Sequence, residues 1–362
     1  MKKFVALLLL AAALFASCAT SSNTIEAIKP DIRKHDTVIE KTTQLESQTE
    51  PLTTSETMLP EKSVAEQDVV SEPVATEPEP TEDLVREVLE WKEHYDIDVL
   101  EGSTKILRYF GDFDENKIQE LEKLLQSYDK KISIVIYSLD ESKALSYNTS
   151  ARYSTGCTIK MPYFMYVCSL FDQGIDSPES VMTYEQEYYA EGSGTIKKTK
   201  YGTDYKLSEL IHLGLSVSDN VAYKMLHRRF GVDGYNEFAE EHGWDSIHLK
   251  GMWLRTANPV DFIRVWKDAY EYFQSDAQSV EMLKEACTNT VYSYIHKGLG
   301  DVEYSHKSGH QDGDVACYND AGIMWTGNQY LYAVFTNSDG TSADQKFITK
   351  CFILIHELMQ NK

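Results

Sequence analysis

The chain has 362 residues, 42% of them hydrophobic and 25% charged, an ordinary globular composition long enough for more than one average domain but not clearly two. Its formal net charge of −22 would be repelled by phosphate backbones, which sets nucleic-acid binding aside. Part of that acidity lies in the N-terminal stretch, so it says little about the field inside any site.

The first residues read as an export signal. Lys2 and Lys3 precede the apolar run from Phe4 to Phe15, and Ala16-Ser17-Cys18 follows. The run is too short for a membrane span and suits a signal peptide over 1–17. From 18 to 81 the chain is rich in Thr, Ser, Glu and Pro and cannot bury enough apolar surface to offset its ordering entropy. It is predicted to be a disordered acidic tether. A partner that folds it stays an open alternative.

Order is expected from residue 82. Leu84, Val88, Leu89 and Trp91 predict a helix over 82–94, within an N-terminal helical extension over 82–114. Asp114 is a good N-cap for a helix over 115–128, whose Ile118, Leu121, Leu124 and Leu125 share a face. Strands are expected at 132–137 and 144–148, joined by a polar turn. An apolar helix over 158–171 follows, with Cys157 at its N-terminal end, and then a mainly helical block to about 274. A helix near 277–286, strands at 302–307, 320–325 and 329–336, and a closing helix over 342–360 complete the pattern. Early and late strands around a helical block predict an α+β fold, an antiparallel sheet flanked by helices with an all-helical subdomain. The main domain is expected to span 115–362.

Of six cysteines, none forms a CxxC pair or a Cys/His spacing suited to metal, so neither a metal nor a cofactor is expected. Cys157 is chemically suggestive. At a helix start, free peptide N–H groups and the helix dipole favour a thiolate. Lys160, three residues on, shares its helical face and can lower the thiol pKa or, if neutral, accept its proton. The bland alternative is a small residue at a helix start in a protein that binds without reacting.

Cys157-Thr158-Ile159-Lys160, Ser218-Asp219-Asn220 and Lys307-Ser308-Gly309 stand in the order and at separations that resemble the S-x-x-K, S-D-N and K-T-G set of class A β-lactamases and penicillin-binding proteins. Flanking segments fit as well: Leu215 to Ala222 resembles the S-D-N helix, Asn319 to Ile323 the strand after the third motif, and Thr256 to Asp261 the turn that ends the omega loop. The resemblance spans about Lys117 to Met359. It implies Cys157 as nucleophile, Lys160 as activator, Ser218 as the group that hands protons to the leaving group, and Asn220, Lys307, Ser308 and Gly309 as substrate-binding residues. Asp219 is expected to brace its loop. The peptide N–H of Cys157 and one from the strand beyond Gly309 would receive the oxyanion.

Two departures qualify that expectation. The nucleophile position carries Cys, not Ser. No Glu lies between Gly243 and Pro259, where hydrolytic relatives carry the carboxylate that activates a deacylating water. Asp245 and His248 are the only general-base candidates there, and a surface or turn role suits both better. The expected activity is acyl transfer on β-lactams or peptidoglycan stem peptides, slow to deacylate. A non-catalytic module that binds wall peptides is the alternative. His306 and His310 are expected at the rim, and the tyrosines between the first two motifs serve packing before they wall any groove. The ending Leu14-Phe15-Ala16-Ser17-Cys18 resembles a lipobox, which implies lipidation of Cys18 and an anchor on a bacterial membrane facing periplasm or cell surface.

Overall fold

The computed structural model describes residues 86–88, 97–253, 256–288, 290–293 and 296–360. The signal, the tether and Cys18 lie outside them. Nine strands and eight α-helices are found among the described residues.

Strands β1 (Arg86–Val88), β2 (Leu107–Phe110), β3 (Ile132–Ser138), β4 (Ala144–Tyr147), β7 (Tyr304–Gln311), β8 (Cys317–Met324) and β9 (Tyr330–Thr336) form one sheet. Their order is β1-β2-β4-β3-β9-β8-β7. Every pair is antiparallel except β1–β2. A separate hairpin pairs β5 (Val181–Tyr184) with β6 (Thr203–Lys206).

Side chains alternate across the sheet as a strand's period of two requires. Along β3, Val135 and Tyr137 enter one core, and Ile132, Ile134 and Ile136 the other. All seven residues of β3 are buried, because helices cover both faces. On one face lie α1 (Glu115–Gln126) and α8 (Ser342–Gln360), whose Ile118, Leu121, Ile348 and Phe352 form the smaller core. The larger core belongs to the helical layer of α2 (Lys160–Asp172), α3 (Leu207–Ser216), α4 (Asn220–Phe230), α5 (Asp233–Glu241), α6 (Pro259–Phe273) and α7 (Val280–Thr288).

Helix α2 is buried almost all round, as its lack of a polar face foretells. Pro162 is tolerated because it sits in the first turn, where an N–H has no helical partner. Asp114 caps α1, its side chain accepting from the amides of Asn116 and Lys117.

Three expectations need correction. Within the predicted 82–94 helix, Arg86–Val88 is a strand laid against β2, since an open sheet edge offers backbone pairing that local helix propensity cannot match. The helical block contains the β5–β6 hairpin. The helix predicted from 158 begins at Lys160, after a 3-10 turn over Gly156–Ile159. No described helix is long and apolar enough to cross a membrane.

Candidate active site

The three motifs meet between the sheet and the helical layer. Cys157 lies in the 3-10 turn and Lys160 opens α2. Residues three apart eclipse in so tight a turn, so both side chains face the same way. The buried Lys160 Nζ donates to Ser218 O at 2.6 Å and to Asn220 Oδ1 at 2.8 Å, and lies 3.4 Å from Ser218 Oγ. Cys157 Sγ, half-buried, lies 3.9 Å from the same Asn220 oxygen.

The second motif is held by its own backbone. Ser218 has φ +55°, a left-handed conformation uncommon outside glycine, and this turns its carbonyl toward Lys160. Asp219 then caps α4, its Oδ1 accepting from the amides of Val221 (2.9 Å) and Ala222 (3.0 Å). Its Oδ2 accepts from the amides of Thr195 (2.5 Å) and Ile196 (2.9 Å). The expected brace is therefore a four-point clamp between α4 and the loop over 191–196. That loop also touches Asn220, whose amide donates to Glu191 O at 2.7 Å.

The third motif lies on β7, at the sheet edge. Lys307 is buried, its Nζ donating to Ser308 O at 2.8 Å. Gly309 permits the close approach of strand and 3-10 turn. A Cβ there would lie 2.9 Å from Cys157 N and 2.5 Å from Thr155 O. This packing sets the amide of Cys157 against the strand expected to supply the second oxyanion donor.

Ser308 departs from expectation. Its hydroxyl donates to Tyr292 O at 3.1 Å rather than standing open to a substrate. His306 does as well, being wholly buried and bonded to Asp320 instead of sitting at the rim. Strand alternation explains both: with Lys307 on one side of β7, its two neighbours turn to the other. His310 is exposed, near Asp312 and the Asp339 carbonyl.

Asp245 and His248 stay with their own loop, where the His248 ring contacts Asp245 O at 3.1 Å. Both line a cavity of about 780 Å³ with Arg152, Trp253, Asp261 and Arg264, and no motif residue lines it. The surroundings of the Lys160 ammonium are instead aromatic. Lys160 Nζ lies 5.8 Å from the Tyr223 ring centroid and 5.9 Å from that of Trp253, and the two rings are 5.1 Å apart. No motif marks these two residues; only the tertiary fold reveals them. Among the tyrosines expected to pack, Tyr184 is buried, while Tyr189 and Tyr201 are exposed.

Charge within the cleft is mutually adjusted. Burial is the largest influence on Cys157 and opposes ionisation, yet the charges of Lys160 and Lys307, with hydrogen bonds from Ser218 and Lys160, together lower the thiol pKa. Burial likewise lowers Lys160, partly offset by Cys157 and Asp219. Lys307 is pushed down to about 8, chiefly by burial, with Cys157 acting against it and Lys160 adding to it. The buried Cys168, Cys287, Cys317 and Cys351 are free thiols raised by burial, so the lowered pKa at Cys157 is local to the motif residues around it.

A family model described as "Beta-lactamase enzyme family" matches residues 115–351. A β-lactamase structure from Sphaerobacter thermophilus aligns with TM-score 0.62 and 20% identity, covering 68% of this chain and 98% of that one. One from Chitinophaga pinensis aligns with TM-score 0.61 and 20% identity, covering 67% and 99%. A mutant of PBP-A, solved as an acyl-enzyme complex with penicillin G, aligns with TM-score 0.58 and 20% identity, covering 67% and 94%. No curated protein matches the chain.

Proposed function

The chain belongs to the beta-lactamase enzyme family, and on that premise we propose that it is an acyl-transfer enzyme with Cys157 as its nucleophile. The convergence of Cys157, Lys160, Ser218, Asn220 and Lys307 on one cleft carries this reading. Its substrates are β-lactams or peptidoglycan stem peptides. The penicillin acyl-enzyme of a fold neighbour supports the first class. The lipobox-like end of the signal supports an anchor on a bacterial membrane facing periplasm or cell surface, within reach of wall peptides.

The Cys157 thiolate attacks the substrate carbonyl carbon. A thioester forms as the C–N bond breaks, with the carbonyl oxygen held by backbone amides. The departing nitrogen takes a proton relayed from Lys160 through the Ser218 hydroxyl. Lys307 attracts the substrate carboxylate.

Hydrolysis of the thioester would need a water and a base. No carboxylate bonds to Cys157 or Lys160 among the described residues, and the rings of Trp253 and Tyr223 lie beside Lys160. The thioester is therefore long-lived, and transfer to an amine acceptor competes with water. The same aromatic side supports a second reading, a module that binds wall peptides without reacting.

Intact-mass measurement after incubation with a penicillin decides between them. The acylation reading predicts a stable adduct of one penicillin per chain, absent in Cys157→Ala, and nitrocefin turnover far below that of hydrolytic relatives. Failure of every β-lactam and D-Ala-D-Ala ester to form an adduct would leave the binding module.

A further inference from the structure

Behind the third motif, on the α8 side of the sheet, lies a buried group of metal-ligating side chains that the proposed reaction does not use. His296, His306 and Asp320 each offer one ligand atom, and these atoms lie within 4.8 Å of one another. His306 and Asp320 are wholly buried and His296 nearly so. His306 Nδ1 is 2.8 Å from Asp320 Oδ1. The Tyr332 hydroxyl completes the ring, 2.9 Å from His296 Nε2 and 3.3 Å from Asp320 Oδ1.

Two observations go beyond proximity. The ring nitrogen of each histidine that points away from the group is held by a hydroxyl: His296 Nδ1 by Ser293 Oγ at 2.8 Å, and His306 Nε2 by Thr290 Oγ1. Metal-ligating histidines show this arrangement, in which the outer N–H donates to a fixed acceptor and the inner nitrogen keeps its lone pair. Further, Asp320 Oδ2 is buried without a hydrogen-bond partner among the described residues. A buried carboxylate oxygen left unpaired is costly, and a cation resolves that cost. The His296 ring is also fixed in place, stacked on Tyr304 at 3.6 Å between centroids and edge-on to Phe352 at 5.6 Å.

We infer that His296, His306 and Asp320, with the Tyr332 hydroxyl as fourth ligand, form a structural site for a divalent cation of the zinc class. Two imidazoles and oxygen donors suit zinc, and four protein groups leave no open position for catalysis. Binding to neutral imidazoles displaces the Nδ1 proton wherever His306 carries one, and breaks the His296–Tyr332 hydrogen bond in favour of metal bonds. The ion would tie His296, and through their ring contacts Ser293 and Thr290, to β7 and β8. The 290–293 segment already receives the Ser308 hydroxyl through Tyr292 O, so the cation would steady the third motif from behind. Sequence reading missed the site because its ligands, at 296, 306 and 320, have no motif spacing; β7–β8 pairing and one loop bring them together.

The test uses the full-length protein, purified in detergent without chelators or metal-affinity resin. Elemental analysis is expected to find about one zinc per chain. A chelator should lower the melting temperature and added zinc restore it. Cobalt in the Cys157→Ala protein should give visible ligand-field bands without a thiolate charge-transfer band. His296→Ala and Asp320→Asn should lose the bands and the zinc response. The cobalt spectrum and the chelator response are read without those two variants, so the outcome stands even if both fail to fold. Metal-free protein whose melting temperature ignores zinc would overturn the inference and leave a buried hydrogen-bonded network. A cobalt–thiolate band would overturn it too, moving the metal to a cysteine.

Discussion

Asp219 offers the sharpest test of how the cleft is built. Its wholly buried carboxylate accepts four backbone N–H bonds, two from the start of α4 and two from the Thr195–Ile196 loop. Hydrogen bonds to a charged group contribute about 1.5–3 kcal/mol each, and loss of a helix N-cap alone costs about 1 kcal/mol. These terms do not add fully. Asp219→Ala, which orphans all four donors, is expected to cost about 4–6 kcal/mol, a large share of a typical folding free energy. Asp219→Asn is the more informative change. Its amide oxygen can keep the α4 cap, but its NH2 then faces the Thr195 and Ile196 amides, donor against donor, for a loss of about 2–3 kcal/mol. Gly194 leaves no slack, since a Cβ there would already lie 2.3 Å from the Asp219 carboxylate. Urea unfolding gives the stability, and intact-mass kinetics the rate of penicillin acylation. A destabilising change remote from the cleft, Ile348→Ala on α8, serves as control. Asp219→Asn should slow acylation more than the control does at similar stability, because Asn220 and Ser218 hold Lys160 through this segment. An Asp219→Asn protein within about 0.5 kcal/mol of wild type would refute the clamp.

Cys157 should react with iodoacetamide at pH values where an ordinary thiol is protonated, and Lys160→Met should move the rate profile to higher pH; a wild-type profile typical of a free cysteine would contradict the paired thiolate. Lys307 titrates near 8, so its positive charge is present below that pH and lost above it. Acylation by a carboxylate-bearing β-lactam should therefore fall as pH rises through 8, while a neutral thioester probe should show no such fall. Gly309→Ala sets a methyl against the backbone of the 3-10 turn. It should cost about 1–3 kcal/mol by overpacking and slow acylation on the order of 10²-fold through the displaced oxyanion donors, measured by denaturation and adduct formation. Ser218→Gly relieves the positive φ while deleting the hydroxyl, so acylation should drop with stability unchanged or raised by up to about 1 kcal/mol. A parallel loss of stability would show that the hydroxyl serves the fold instead.

The α+β class, the order of the late strands and the closing helix over 342–360 could be read from periodicity, because strands and helices at a sheet face carry their burial in their spacing. The three motifs were legible because their chemistry demands fixed residue types: a sulfur or hydroxyl, an amine three residues on, a short polar turn, and a glycine where two backbones touch. Local sequence was weaker where pairing partners are remote. Nothing near Arg86 announces that an open edge at Leu107 will make it a strand. Nor does any local signal place Trp253 and Tyr223 over Lys160, or bring Asp320 to His306 and the Tyr292 carbonyl to Ser308. The lowered pKa at Cys157 lies between these cases. A helix start and one lysine foretold its direction, but Lys307, far along the chain, supplies the second ammonium. Sequence by itself determined which groups this protein can use, since side-chain chemistry is local. Only the tertiary structure decided which of them share a low-dielectric space, since pleat alternation and strand pairing set direction and distance between residues that are remote in the chain.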